Sequence, residues 1–152
     1  MPAANPPNIL PQDIHLRAAT AADEVTIKRL VRQARLDPTS LKWLNFMVAE
    51  HEGRIVAIGQ VKPYPGCQEI GSLVTLPRYR GLGIASRLMS ALENRAGKPL
   101  YLLCLQKIVP FYEQRGYETI TWLQAPAFLK LKLSPTLIMR LFGMRVRVMV
   151  KK

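Results

Sequence analysis

The 152-residue chain has only two cysteines, Cys67 and Cys104, and few acids, 10 Asp and Glu against 22 Lys and Arg. Two thiols are too few for the disulfide framework of a small secreted scaffold, so the cytoplasm is the expected compartment. No apolar run approaches the roughly 20 residues that span a bilayer. The start, Met1-Pro2-Ala3-Ala4-Asn5-Pro6-Pro7, has no basic region followed by an apolar one, and so does not read as a signal peptide. Twelve prolines spread from end to end exclude one long helix or a coiled coil. The Gly-x-Gly-x-x-Gly fingerprint of a dinucleotide site is missing, and so is the Gly-Lys-Ser/Thr of a Walker loop. No metal site is expected, and His15 and His51 are expected to face solvent.

What is present is 49% apolar and 7% aromatic residues, enough for the core of one folded domain. The net charge of +12 calls for an anionic partner, whether nucleic acid, a membrane surface or a phosphate-rich ligand. It is unevenly spread. Residues Ala127 to Lys152 hold seven bases (Lys130, Lys132, Arg140, Arg145, Arg147, Lys151, Lys152) and no acid, leaving 15 bases and 10 acids for the rest.

Four prolines in residues 1–12 predict a flexible arm, with a single domain over 13–152 that includes a basic extension over 127–152. Ile14 to Arg17 alternates like a strand. Thr20 can cap a helix that carries Ile27, Leu30, Val31 and Ala34 on one face and ends at Asp37-Pro38. Trp43 to Glu50 and Arg54 to Val61 predict a hairpin around His51-Glu52-Gly53, and Gln68 to Leu76 extends it into an antiparallel meander. A helix with Ile84, Leu88, Met89, Leu92 and Ala96 on one face follows, closed by Gly97 and Pro99. Pro99 to Leu105 is apolar without alternation, the pattern of a parallel strand buried on both faces. A short helix from Val109 to Arg115, a strand from Tyr117 to Leu123, a basic segment with apolar Leu137, Ile138, Leu141 and Phe142, and a strictly alternating strand from Arg145 to Val150 complete the chain.

Between the third strand of the meander and the second long helix lies Arg78-Tyr79-Arg80-Gly81-Leu82-Gly83. A strand, a basic glycine turn and a helix in that order form an anion site. The glycines let the backbone turn sharply, and the free amides of the helix start point outward with the positive end of its dipole. A diphosphate would fit there.

This stretch resembles the acetyl-CoA signature of the GNAT superfamily of N-acetyltransferases. Arg80-Gly81-Leu82-Gly83-Ile84-Ala85 matches its Arg/Gln-x-x-Gly-x-Gly/Ala motif, preceded by Leu73-Val74-Thr75-Leu76-Pro77 as the strand ending in hydrophobic-x-Pro. Val109 to Tyr117, with Phe111-Tyr112 and Gly116-Tyr117, is similar to the Phe-Tyr-x-x-x-Gly-Phe segment of the same superfamily. The order of elements from Ile14 to Leu123 agrees as well. Two departures stand out: Leu105 and Gln106 replace an Asn common ahead of the Phe-Tyr segment, and the basic tail lies beyond the motifs.

The resemblance implies a mixed α/β fold, mostly antiparallel, with a splayed parallel strand pair at its centre and flanking helices. It implies acetyl-CoA as cosubstrate and direct transfer of the acetyl group to a primary amine, on a small molecule or a peptide. Backbone groups of Leu73, Val74 and Thr75 would meet the pantetheine arm, and Arg80, Gly81, Leu82, Gly83, Ile84, Ala85 and Ser86 would hold the diphosphate. Tyr112 would give a proton to the leaving thiolate. Glu69 occupies a region where some members place a general base. Cys104, inside an apolar strand, and Cys67, in a turn, do not read as nucleophiles. Two rival readings keep other functions open: a catalytically silent acetyl-CoA-binding regulatory module, and a membrane or nucleic-acid module acting through the tail. For the tail, completion of the sheet is favoured over membrane association, and nucleic acid is disfavoured.

Overall fold

The computed structural model describes residues 11–132 and 145–152. Seven strands form a sheet in the order β1-β2-β3-β4-β5-β7-β6. They are β1 (His15–Ala18), β2 (Phe46–His51), β3 (Arg54–Tyr64), β4 (Cys67–Thr75), β5 (Leu100–Leu105), β6 (Glu118–Ile120) and β7 (Val146–Lys151). The helices are α1 (Glu24–Gln33), α2 (Ile84–Arg95) and α3 (Val109–Glu113), with a further helical segment over 127–132. The β4–β5 pair is parallel, with α2 as its crossover. The fold is thus a mixed α/β sheet, mostly antiparallel, with one parallel pair. No helix among the described residues is long and apolar enough to cross a membrane. By its contacts the chain forms two compact units, one of residues 1–59 and 73–90 and one of residues 60–72 and 91–152.

In the first unit, α1 turns Ile27, Leu30 and Val31 onto Phe46, Val48 and Ile58, which is the apolar face its spacing dictates. Its entrance is held by charge. The Thr20 amide donates to the Asp23 carboxylate at 2.7 Å, and Arg17 of β1 donates to both Asp23 oxygens, at 2.7 and 3.0 Å. Arg17 also reaches Glu50 of the paired strand β2 at 2.6 Å. The Arg17 guanidinium, helped by the Thr20 donors, holds the Asp23 carboxyl at about 2 despite burial. Glu52 and Gly53 both adopt positive φ, 49° and 73°, the requirement of a two-residue I′ hairpin turn. A second cluster joins Ile14, Ala49, Val56 and Ala57 to Ile84 and Leu88 of α2.

The second unit is built around β5. Gln68–Ile70 pair with Leu100–Leu102, and β7 covers the other side of β5 over its whole length, from Leu100↔Lys151 to Leu105↔Val146. β6 pairs with the far edge of β7. The alternating terminal segment is therefore an interior strand of the sheet. Cys67, Ala125, Leu129 and Val148 form one buried cluster here. Glu93 of α2 gathers the Tyr117 hydroxyl at 3.2 Å and Lys151 at 3.1 Å, with Arg115 at 3.6 Å.

Several expectations change. Trp43–Asn45 form a 3-10 turn ahead of β2, and β3 runs three residues past Val61 to Tyr64. Cys67 opens β4 and is buried, not placed in a turn. β5 alternates between buried and half-buried residues, because its second face is only partly covered. The strand expected over Tyr117 to Leu123 is confined to Glu118–Ile120. It yields to a 3-10 turn, Trp122–Gln124, in which the Thr121 amide and hydroxyl donate to the Gln124 side chain. The arm up to residue 10 and the apolar positions Leu137, Ile138, Leu141 and Phe142 lie outside the described residues.

Candidate active site

In the first unit the chain leaves β4 through a 3-10 turn, Pro77–Tyr79, and reaches α2 by way of two glycines. Gly81 and Gly83 sit at φ 79° and 74°, and a Cβ on either would meet no atom within 4 Å. Glycine is therefore needed here for backbone conformation and leaves open space beside the chain. The Arg80 amide closes on Pro77 and the Arg87 amide on Gly83, whereas the amides from Gly81 to Ser86 take part in none of the turn and cap bonds among the described residues. Six consecutive donors stand at the positive end of a 12-residue helix, an arrangement that suits an anion. Ile84 is buried beneath it and anchors the helix start against Ala57 and Val56.

Leu73, Val74 and Thr75 form the last turnward stretch of β4, with Leu73 and Val74 in the two apolar clusters of this unit. Their side chains are half-buried, which leaves recognition to the backbone. The exposed Arg80 donates to the Thr75 carbonyl at 3.3 Å and so folds back over the loop. His51 departs from its expected solvent-facing place: its Nδ1 is hydrogen-bonded to the Tyr79 hydroxyl at 3.0 Å, tying the β2–β3 hairpin to the loop entrance. His15 is exposed, as expected.

Tyr112 and Glu69 both belong to the second unit. Tyr112 is presented by α3, whose first turn accommodates Pro110 without loss of a hydrogen bond. It is buried, edge-on to Phe111 and Tyr117, and its hydroxyl has no hydrogen-bond partner among the described residues. Burial, reinforced by the nearby Cys104 thiol, pushes the phenol up to about 12. It is therefore fully protonated at neutral pH and available as a donor.

Glu69 is 3% exposed on β4, with Oε2 at 2.8 Å from the Lys132 ammonium of the segment over 127–132. Lys132 also donates to the Tyr64 hydroxyl at 3.1 Å, and Phe128 stacks on the Tyr64 ring at 4.4 Å. Lys62, 1% exposed, was missed by the sequence reading, which ended β3 at Val61. Its inward row, Ile58, Gln60, Lys62 and Tyr64, turns from apolar to polar, and that signal was available. Burial pushes the Cys104 thiol up to about 11, and Cys67 is raised for the same reason. Neither is a thiolate nucleophile at neutral pH.

The family description "Acetyltransferase (GNAT) domain" matches residues 42–119, just over half of the chain. An uncharacterized N-acetyltransferase of Escherichia coli K12, YjgM, is 26% identical over 147 residues, covering 76% of this chain and 88% of that protein. Among solved structures, N-acetylglutamate synthase from Neisseria gonorrhoeae, complexed with coenzyme A and N-acetyl-glutamate, superimposes with a TM-score of 0.75 at 19% identity over 91% of this chain. This chain spans 34% of the synthase's length. Diaminobutyrate acetyltransferase EctA from Paenibacillus lautus, with L-2,4-diaminobutyric acid and coenzyme A, gives 0.58 at 18% identity, covering 70% of this chain and 79% of that one. The structural likenesses carry the fold, and the family match covers both the glycine turn and the segment around Tyr112: the chain belongs to the GNAT family of acetyltransferases.

Proposed function

We propose that the chain transfers the acetyl group of acetyl-CoA directly to a primary amine on a small molecule. The observation that carries this reading is the run of unengaged amides from Gly81 to Ser86 at the start of α2, a cradle for the diphosphate of the cosubstrate. Backbone groups of Leu73, Val74 and Thr75 meet the pantetheine arm in the manner of an added strand. The neutral amine attacks the thioester carbonyl, the tetrahedral oxyanion collapses, and the C–S bond breaks. Tyr112 gives its proton to the departing sulfur and regains one from the nitrogen, which has gained a bond to carbon. Glu69 is the candidate that takes the proton from the incoming ammonium, since an alkyl amine is protonated at neutral pH.

The high positions of the Cys67 and Cys104 thiols support transfer without an acetyl-cysteine intermediate. For the tail, the engagement of Lys132 with Glu69, Lys151 with Glu93 and Arg147 with Gln106 favours a structural role over a membrane or nucleic-acid surface. A small-molecule acceptor is favoured by the amino-acid ligands of the synthase and of EctA.

Isothermal titration with acetyl-CoA, followed by thiol release across a panel of amines, tests the proposal. Micromolar binding and turnover on at least one amine are expected. Binding without turnover on any amine would leave a regulatory module in its place.

A further inference from the structure

Of the five buried polar or charged residues among the described ones, four (Gln60, Lys62, Glu69 and Ser72) lie on the β3–β4 hairpin over 60–72. A hairpin with a purely structural task would carry its apolar row inward, as β3 still does at Ile58. Here the same row continues as Gln60, Lys62 and Tyr64. Pro65-Gly66 is a two-residue turn between Tyr64 and Cys67, which sets Lys62 opposite Glu69. Both side chains converge over Gly71: a Cβ there would come within 3.4 Å of Lys62 Cε, 3.7 Å of Glu69 Oε1 and 3.8 Å of Lys62 Nζ.

The chemistry of this interior is specific. Lys62 and Lys132 bring two ammonium groups around Glu69, and Lys132 already holds its Oε2. Gln60 is fully buried, donates its amide N–H to Ser72 Oγ at 2.9 Å, and leaves Oε1 without a partner among the described residues. An unfilled buried acceptor costs on the order of 1–3 kcal/mol, so a ligand N–H is the group that suits it. A simple cationic amine would bring like charge beside two ammoniums. An amine that also carries a carboxylate brings its own compensating charge.

We propose that this hairpin interior is the acceptor subsite, that its ligands are amines bearing a carboxylate, of the amino-acid class, and that Lys62 and Lys132 hold the carboxylate while Gln60 Oε1 accepts from the amine. The proposal rests on the acetyl-transfer reading above and narrows its acceptor. Lys62 and Lys132 are binding residues in it; Glu69 orients Lys132 until the ligand carboxylate arrives.

The test compares free amino acids, L-2,4-diaminobutyrate included, with their α-carboxamides in a thiol-release assay with acetyl-CoA. The carboxamide amine is the weaker base and is more available as a nucleophile, so chemistry alone favours the amide. At least one acid is expected to exceed its amide in kcat/KM by about 10-fold or more. Lys62→Met and Lys132→Met should each bring that ratio toward one, with acetyl-CoA affinity by titration unchanged. Circular dichroism checks the fold, and the partly exposed Lys132 site keeps the test intact if Lys62→Met does not fold. Amides used as well as or better than acids, or an unchanged ratio in a folded variant, would overturn the subsite and leave acetyl transfer standing. Acetyl-CoA binding with no turnover on any amine would overturn both.

Discussion

Lys132 Nζ lies 2.8 Å from Glu69 Oε2, in an ion pair whose ends differ in exposure, 19% for the lysine side chain and 5% for the glutamate. One partner can turn to water when the other is removed; the other cannot. The pair joins the segment over 127–132 to β4, so part of the chain's basic excess is spent inside the second unit.

Glu69→Gln should therefore cost more stability than Lys132→Met. Removing the carboxylate leaves the buried Lys62 and the Lys132 ammonium facing a neutral amide, a loss of about 3 kcal/mol. Removing Lys132 leaves a carboxylate that still has Lys62 beside it, at a cost of about 1 kcal/mol. Urea denaturation of both variants reads the difference, and equal losses would contradict the asymmetry.

Tyr112→Phe keeps the ring against Phe111 and Tyr117 and removes only the hydroxyl, which has no hydrogen bond to lose among the described residues. Its stability should change little. The rate of acetyl transfer should drop by about 100-fold, the usual scale for a lost general acid, with acetyl-CoA affinity held. Parallel loss of rate and affinity would show the tyrosine to be a packing residue.

Gly83→Ala forces a Cβ into φ 74° with no neighbour to strike. The cost is backbone strain alone, on the order of 1–2 kcal/mol. If the loop relaxes to a negative φ, the amides that follow no longer converge. Titration should show acetyl-CoA binding weakened by about 10-fold while thermal unfolding shifts only slightly.

The Asp23 carboxyl stands at about 2 in the folded chain against an ordinary 3.8. The unfolded state thus binds this proton more tightly than the folded one. Stability from this group is complete above about pH 5 and fades as pH falls toward 2, about 2 kcal/mol in all. Asp23→Asn should flatten that part of the stability profile measured by denaturation between pH 5 and 2.

Local chemistry was legible in the sequence, as were the parallel strand β5 and the sheet-completing β7, whereas contacts between individual distant side chains were not. Gly81 and Gly83 announce their turn because positive φ is a property of single residues, and Asp37-Pro38 and Gly116 punctuate the helices for similar reasons. The apolar face of α1 followed from spacing alone. β3 was ended at Val61 although its alternation continues through Lys62 and Tyr64, and the partner strand shows what a buried lysine meets there. Cys67 was read as part of a turn because nothing within ten residues discloses Val148, which packs in the same cluster. His51 looked solvent-facing until Tyr79, distant in sequence, closed on it. For Tyr112 the motif supplied the position, and the absence of a hydroxyl partner came from the fold.

The placement of β7 between β5 and β6 carries a consequence for how the protein is made. β6 leaves the ribosome before the strand it hydrogen-bonds to, and β5 must wait still longer with its side toward β7 uncovered. Until β7 arrives, the nascent chain presents an open strand edge next to apolar Leu102 and Cys104, the kind of surface that chaperones shield. The basic residues around that strand, Arg145, Arg147, Lys151 and Lys152, are of the charged type that guards an unavoidable apolar strand against aggregation until it pairs.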